Sequence, residues 1–210
     1  EQGYRTAFVR KWHLGSAGNY PEQQGSETNI GGCDFGQPPS YFDPYVNAAG
    51  VRFPETVLRP RKTGEYLTDR EADEVVKLIR SFKGKPFFIN YAPYTVHTPL
   101  QAKPELVAKY KQKQPSKGQQ NAVYAAMIES LDEAVGTIME ELNQQGLLQN
   151  TLVVFTSDNG GLLGTASAPI TSNPPLRSGK GFPYEGKIRS SRACQTSPRL
   201  RWIYLIRFWS

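Results

Sequence analysis

At 210 residues the chain is long enough for one domain with a sizeable core, or for a large piece of a bigger protein, and its 19 glycines and 16 prolines predict long loops. No apolar run reaches the roughly 18 residues of a membrane span. The start Glu1-Gln2-Gly3-Tyr4 lacks the basic and apolar regions of a signal peptide, and the missing initiator Met points to a chain that begins partway through a longer protein. The formal charge of +6 sits wholly at the end: residues 1–186 balance, whereas 187–210 carry Lys187, Arg189, Arg192, Arg199, Arg201 and Arg207 and no acid. Such a tail suits nucleic acid or an acidic surface, and it equally suits foreign sequence. Cys33 and Cys194 say little about redox compartment, and no CxxC or zinc-ligand spacing is present.

In chain order, Thr6-Ala7-Phe8-Val9 reads as a short strand that runs into Arg10-Lys11-Trp12-His13-Leu14-Gly15. Residues two apart in extended chain share a face, so Lys11 and His13 are expected to point the same way. Residues 15–66 are rich in Gly, Pro, Asn, Ser and aromatics without sustained periodicity, as in a functional or covering loop. Thr68 and Glu71 fit a capping box ahead of a helix with Ala72, Val75, Val76 and Ile79 on its apolar face; Gly84 and Pro86 end it. Phe87-Phe88-Ile89-Asn90-Tyr91-Ala92 has the texture of a strand buried on both faces. A second long helix is predicted from about Gln119 to Gln145, stopped by Gly146. Thr151-Leu152-Val153-Val154-Phe155-Thr156 is another buried-type strand. Strand–helix–strand alternation argues an α/β fold with a mainly parallel sheet flanked by helices.

Ligands of such sheets gather beyond the carboxyl ends of the strands. Three polar clusters fall there: Lys11 with His13, then His97, then Asp158 with Asn159. Asp158-Asn159 offers two hard oxygen ligands for a cation such as Ca²⁺, though the following Gly160-Gly161 also fits a plain turn. His97 also reads as an ordinary loop or satisfied buried histidine. Lys180, between Gly179 and Gly181, has glycines that let the backbone approach a ligand, and also reads as a solvated loop lysine. Lys11 supplies fixed positive charge and His13 a proton-transfer group, a combination suited to an anionic substrate.

Together the pieces are specific. Gly3-Tyr4-Arg5-Thr6-Ala7-Phe8-Val9-Arg10-Lys11-Trp12-His13-Leu14-Gly15, Val96-His97-Thr98-Pro99, Thr156-Ser157-Asp158-Asn159-Gly160-Gly161, and Pro175-Leu176-Arg177-Ser178-Gly179-Lys180-Gly181 with Tyr184-Glu185-Gly186 resemble, in order, four segments of the type I sulfatases. These form the arylsulfatase-like family of the alkaline phosphatase superfamily. The resemblance runs from residue 3 to about 189 and implies an alkaline-phosphatase-like sulfatase core truncated at both ends, with 1–189 a partial catalytic domain and 190–210 a basic tail. It implies sulfate-ester hydrolysis with Ca²⁺ and a formylglycine nucleophile. Lys11 would contact the formylglycine and sulfate, and His13 would be the base that expels sulfate. His97 and Lys180 would bind sulfate and help protonate the leaving alcohol, and Asp158 and Asn159 would be metal ligands. It further implies a sulfated small molecule or glycan as partner, no nucleic acid, and a periplasmic or secreted setting; it leaves the oligomeric state open.

The departures from the family pattern are definite. No C/S-x-P-S/A-R segment is present: neither Cys33 nor Cys194 lies in one, and Ser197-Pro198-Arg199 has the wrong spacing. The family's early Asp pair is also absent, so the chain by itself is expected to be catalytically inactive, with an exposed sheet edge. Arg10 and Lys187 stand where the family usually has Gly, and Arg10 is expected to crowd the site. After Arg189 the family continues with an apolar, Pro-containing strand, whereas residues 190–210 resemble a shifted reading frame and are expected to pack poorly. The rival readings are a phosphatase or phosphodiesterase of the same superfamily and a non-catalytic remnant whose basic tail binds DNA or heparin.

Overall fold

Five strands, all parallel, make one sheet in the computed structural model, which describes residues 3–116, 118–184 and 201–207. They are β1 (Arg5–Arg10), β2 (Thr28–Ile30), β3 (Phe87–Ala92), β4 (Thr151–Ser157) and β5 (Arg201–Arg207), in the order β2-β1-β3-β5-β4. Three α-helices accompany them: α1 (Leu67–Ser81), α2 (Pro104–Lys111) and α3 (Ala122–Gln144). The α/β architecture expected from the alternation of elements is the one found. None of the described helices is long and apolar enough to cross a membrane.

The core follows from two periodicities. Strand side chains alternate faces, and the register puts Ala7, Ile89, Ile203 and Val153 in one row. With Val9 and Tyr91 they meet Val75, Leu78 and Ile79 from α1, Phe82 just past its end, and Ile138 and Leu142 from α3. Each such side chain, fully buried, contributes about 1.5–3 kcal/mol. Asp69 in the first turn of α1 and Arg80 in its last complement the helix dipole. Helix α3 begins where the Asn121 side chain accepts the backbone N–H of Tyr124 at 2.9 Å, and ends before Gly146, whose φ of 67° turns the chain.

Several expectations are corrected. Thr68 and Glu71 do not cap α1. The helix starts at Leu67 with no side-chain cap, the Thr68 hydroxyl meets that of Thr95, and Glu71 turns into the interior. The motif spacing is present, but tertiary partners take both side chains. Strands β3 and β4 are not covered on both faces: Phe88 is 36% exposed and Phe155 46% exposed. Among the described residues the helical layer covers one face, and β4 is an edge strand. Residues 201–207 form β5, between β3 and β4, with Ile203 fully buried. The β-branched and aromatic run Trp202-Ile203-Tyr204-Leu205-Ile206 suits a strand. Residues 185–200 lie outside the described residues, including Glu185, Gly186, Lys187, Cys194 and the rest of the reading-frame question.

The long segment 15–66 adds β2 and a second, aromatic core. Cys33, Tyr41, Tyr45, Phe53, Leu58 and Tyr66 pack with Leu67, Tyr94, Val96, Tyr124 and Met127. This cluster supports the chain that leads from β3 to His97.

Candidate active site

Because all strands run one way, β1, β3 and β4 deliver their following residues to the same edge of the sheet. The Lys11 N–H donates to the Ala92 carbonyl at 2.9 Å, which carries the β1–β3 ladder one residue past the strand and sets Lys11 beside the start of the His97 segment. Lys11 is only 7% exposed. Trp12 leaves the site: its ring meets the edge of Phe8 with centroids 5.1 Å apart, and its indole N–H donates to the Asn19 carbonyl at 2.8 Å. His13 is exposed, and its φ of 53° departs from extended geometry, so strand alternation does not reach it as expected. Its backbone N–H donates to the Cys33 carbonyl at 2.9 Å instead. Its ring lies on Gly36, where a Cβ would come within 2.7 Å of it.

His97 is held from several sides. Its carbonyl accepts the Tyr41 hydroxyl at 2.9 Å, and its N–H donates to the Tyr94 carbonyl at 2.7 Å. The Thr98 hydroxyl donates to Gln37 Oε1 at 3.1 Å, so the Thr98 oxygens act as acceptors for His97 Nδ1 at 3.1 Å. That places the ring proton on Nδ1 and leaves Nε2 to accept from Lys180 Nζ, 3.0 Å away. Burial, reinforced by the charges of Lys11, Lys180 and His13 against the raising effect of the Thr98 carbonyl, lowers the His97 pKa to about 4. The ring is therefore neutral near pH 7.

Lys180 arrives on a turn built against the loop after β4. Its N–H donates to the Gly161 carbonyl at 3.3 Å, and Gly179 is packed so closely on Gly161 and Asn173 that no Cβ fits there. Asn173 joins the two loops: it accepts from the Gly161 N–H at 2.9 Å and donates to the Gly161 and Ser178 carbonyls, both at 3.1 Å. Burial lowers the Lys180 pKa, and Asp158 opposes the shift. For Lys11, burial and then Lys180 push the pKa down to about 8, again with Asp158 opposing. Two partly desolvated ammonium groups near each other form a site prepared for an anion.

Lys11, Lys180 and Asp158 thus lie close enough to perturb one another's charge, and His97 feels Lys11, Lys180 and His13. Asn159 follows Asp158, and its Oδ1 is buried with no hydrogen-bond partner among the described residues. An orphaned amide oxygen next to a carboxylate fits hard-cation chemistry. The two would be part of a coordination sphere of roughly six to eight oxygens. Among the described residues no cluster of three or more His, Cys, Asp or Glu side chains is present.

Arg10 does not crowd this pocket. It adopts the positive φ of 89° that glycine favours, and its side chain turns away into the interior, to Glu71 at 2.8 Å. Sequence reading misplaced Arg10 and missed Glu71, Tyr41, Gly36 and Asn173 as supports of the site, because each acts through a neighbour distant in sequence. The capping-box spacing drew attention to Glu71, for a different role.

A group of lysine, histidine and carboxylate side chains gathered beyond the carboxyl edge of a parallel α/β sheet is the class that fold and site define. The family model described as Sulfatase matches residues 1–190. A "Sulfatase" of Formosa agariphila is 35% identical over 70% of this chain and 29% of its own length. The human N-acetylgalactosamine-6-sulfatase is 32% identical over 95% of this chain and 37% of its own length. The solved structure of Ps i-CgsB in complex with k-i-k-neocarrahexaose is 32% identical, with a TM-score of 0.66, covering 90% of this chain and 44% of that one. The chain belongs to the sulfatase family. It spans about a third of the length of these curated relatives.

Proposed function

We propose that the chain carries the anion-binding and leaving-group half of a site that hydrolyses sulfate esters. The observation that carries this reading is the contact of Lys180 Nζ with a neutral His97 Nε2 at 3.0 Å, beside the buried ammonium of Lys11. A sulfate ester brings one negative charge, and more develops on the ester oxygen as its bond to sulfur breaks. Cations at that oxygen stabilise the breaking bond more than the bound ester. Lys11 binds the sulfate oxygens. Lys180, its ammonium acidified by burial, is the acid that gives a proton to the departing alkoxide. His97 accepts one Lys180 N–H and so aims the other two. His13, exposed at the rim, is the base that exchanges protons with solvent.

Asp158 and Asn159 would hold part of a Ca²⁺ sphere, which would supply Lewis-acid polarisation of the sulfate oxygens. Formylglycine would supply the nucleophile; its segment is absent from this sequence, and no step here depends on it. The substrate class is a sulfated glycan or small molecule, in keeping with a relative named for N-acetylgalactosamine 6-sulfate and a neighbour crystallised with a neocarrahexaose. A periplasmic or secreted setting accompanies it.

The chain has two histidines, so their imidazole NMR signals report the site without ambiguity. Inorganic sulfate, against chloride at matched ionic strength, is expected to move both signals, and the response to fade above pH 8 as Lys11 loses its proton. Two signals indifferent to sulfate would refute the anion site. A chromogenic aryl sulfate should remain unhydrolysed by the 210-residue chain, and clear turnover would overturn the division into halves.

A further inference from the structure

Arg10 and Glu71 are each 1% exposed, take no direct part in the site, and stand 2.8 Å apart. Arg10 Nη1 and Nη2 reach no hydrogen-bond acceptor among the described residues. The guanidinium lies instead 4.7 Å from the ring centre of Phe53 and 5.1 Å from that of Tyr94. It is also packed on Gly31 so tightly that a Cβ there would strike it. Glu71 in turn accepts the Tyr91 hydroxyl at 3.2 Å.

Ion pairs this deep add little to stability, because desolvation offsets their attraction; their use is to specify one arrangement. Here the arrangement joins the segments that carry Lys11, His13 and His97. Arg10 immediately precedes Lys11. Tyr94 opens the turn that ends at His97. Gly31 begins the loop whose Cys33 carbonyl holds the His13 N–H. Phe53 belongs to the aromatic core, and Glu71 to α1.

We propose that Arg10, anchored by Glu71 and clasped between Phe53 and Tyr94, is a positioning residue that holds Lys11, His13 and His97 to a common pocket. The inference rests on the sulfatase reading for the purpose of that pocket, but its test does not use sulfate or turnover. An interior leucine at residue 10 could fill space, whereas a charged fork facing a carboxylate adds a directional tie where the chain leaves β1 at positive φ.

The test compares the native chain with Arg10→Met/Glu71→Gln, which removes both charges together and so leaves no unpaired buried ion. The readout is the pH midpoint of the His97 imidazole, by NMR. In the native chain it lies well below 6.5, set by burial and the nearby ammonium groups. In the double variant it is expected to rise by at least one pH unit as Lys11 and the Tyr94–His97 turn lose their setting. Leu142→Ala is the control for destabilisation alone: it is fully buried on α3 toward the amino ends of the strands, and should leave the midpoint in place. A folded double variant with the native midpoint overturns the proposal. Should that variant fail to fold, Glu71→Gln alone decides: a rise supports the role, and an unchanged midpoint overturns it. If the native signals ignore sulfate while the midpoint still moves, the sulfatase reading fails and the positioning role stands.

Discussion

Lys11 is a charge held where charge is costly. The residue is 7% exposed, and its pKa falls from 10.5 to about 8. The folded protein therefore gives up this proton before the unfolded chain does. The stability owed to that difference is complete above pH 10.5 and is lost as pH falls toward 8. At pH 7 the charged lysine is a net strain on the fold. Lys11→Met is expected to raise stability at pH 7 by about 1–2 kcal/mol in urea unfolding while removing the sulfate response. A destabilised variant would show that Lys11 is held by partners stronger than the burial it suffers. Burial likewise keeps the His97 ring neutral near pH 7, with its Nε2 accepting from Lys180 Nζ at 3.0 Å.

At the scale of elements, the active edge depends less on the strands than on what clamps their exits. The turn after β3 is secured by the aromatic core of residues 33–66: Tyr41 donates to the His97 carbonyl at 2.9 Å, and Tyr94 donates to the Phe35 carbonyl at 2.9 Å. Tyr41 is fully buried, so Tyr41→Phe leaves that carbonyl short of a donor. A loss of about 1–3 kcal/mol is expected, with faster exchange of the amides from Tyr94 to Thr98. Unaltered stability would mean that the carbonyl finds another donor. The Lys180 turn is clamped by Asn173 in the same manner, by three bonds to the Gly161 and Ser178 backbone. Loops without periodicity thus do the positioning, and periodicity is the signal that sequence reading follows best.

For the molecule as a whole, the decisive element is β5. It lies between β3 and β4, so β4 reaches the rest of the sheet only through it. A chain ending at residue 200 is expected to lose its cooperative melt, or to melt far lower, and to expose Val153 and Ile89 where Ile203 had covered them. Circular dichroism and thermal unfolding measure this directly. A truncated chain that melts like the full one would remove β5 from the core. The same result bears on the basic tail: Arg201 and Arg207 belong to a strand, so a role for this segment in binding DNA or heparin competes with its place in the sheet.

Read by itself, the sequence determined the α/β class, the two long helices, the parallel strands β1, β3 and β4, and the four segments whose order marks the sulfatase family. These are local properties: an apolar period, a turn residue, a short motif. It also named Lys11, His13, His97, Asp158, Asn159 and Lys180, because their residue types fall just beyond strand ends or between glycines. Only the tertiary structure decided that Arg10 turns into the interior, that Glu71 answers it instead of capping a helix, that residues 201–207 form a strand between β3 and β4, and that, among the described residues, the helical layer covers one face of β3. Each of these turns on a partner remote in sequence. A buried charge or a strand slot has no local period, and which group meets it is known only when the chain has closed on itself.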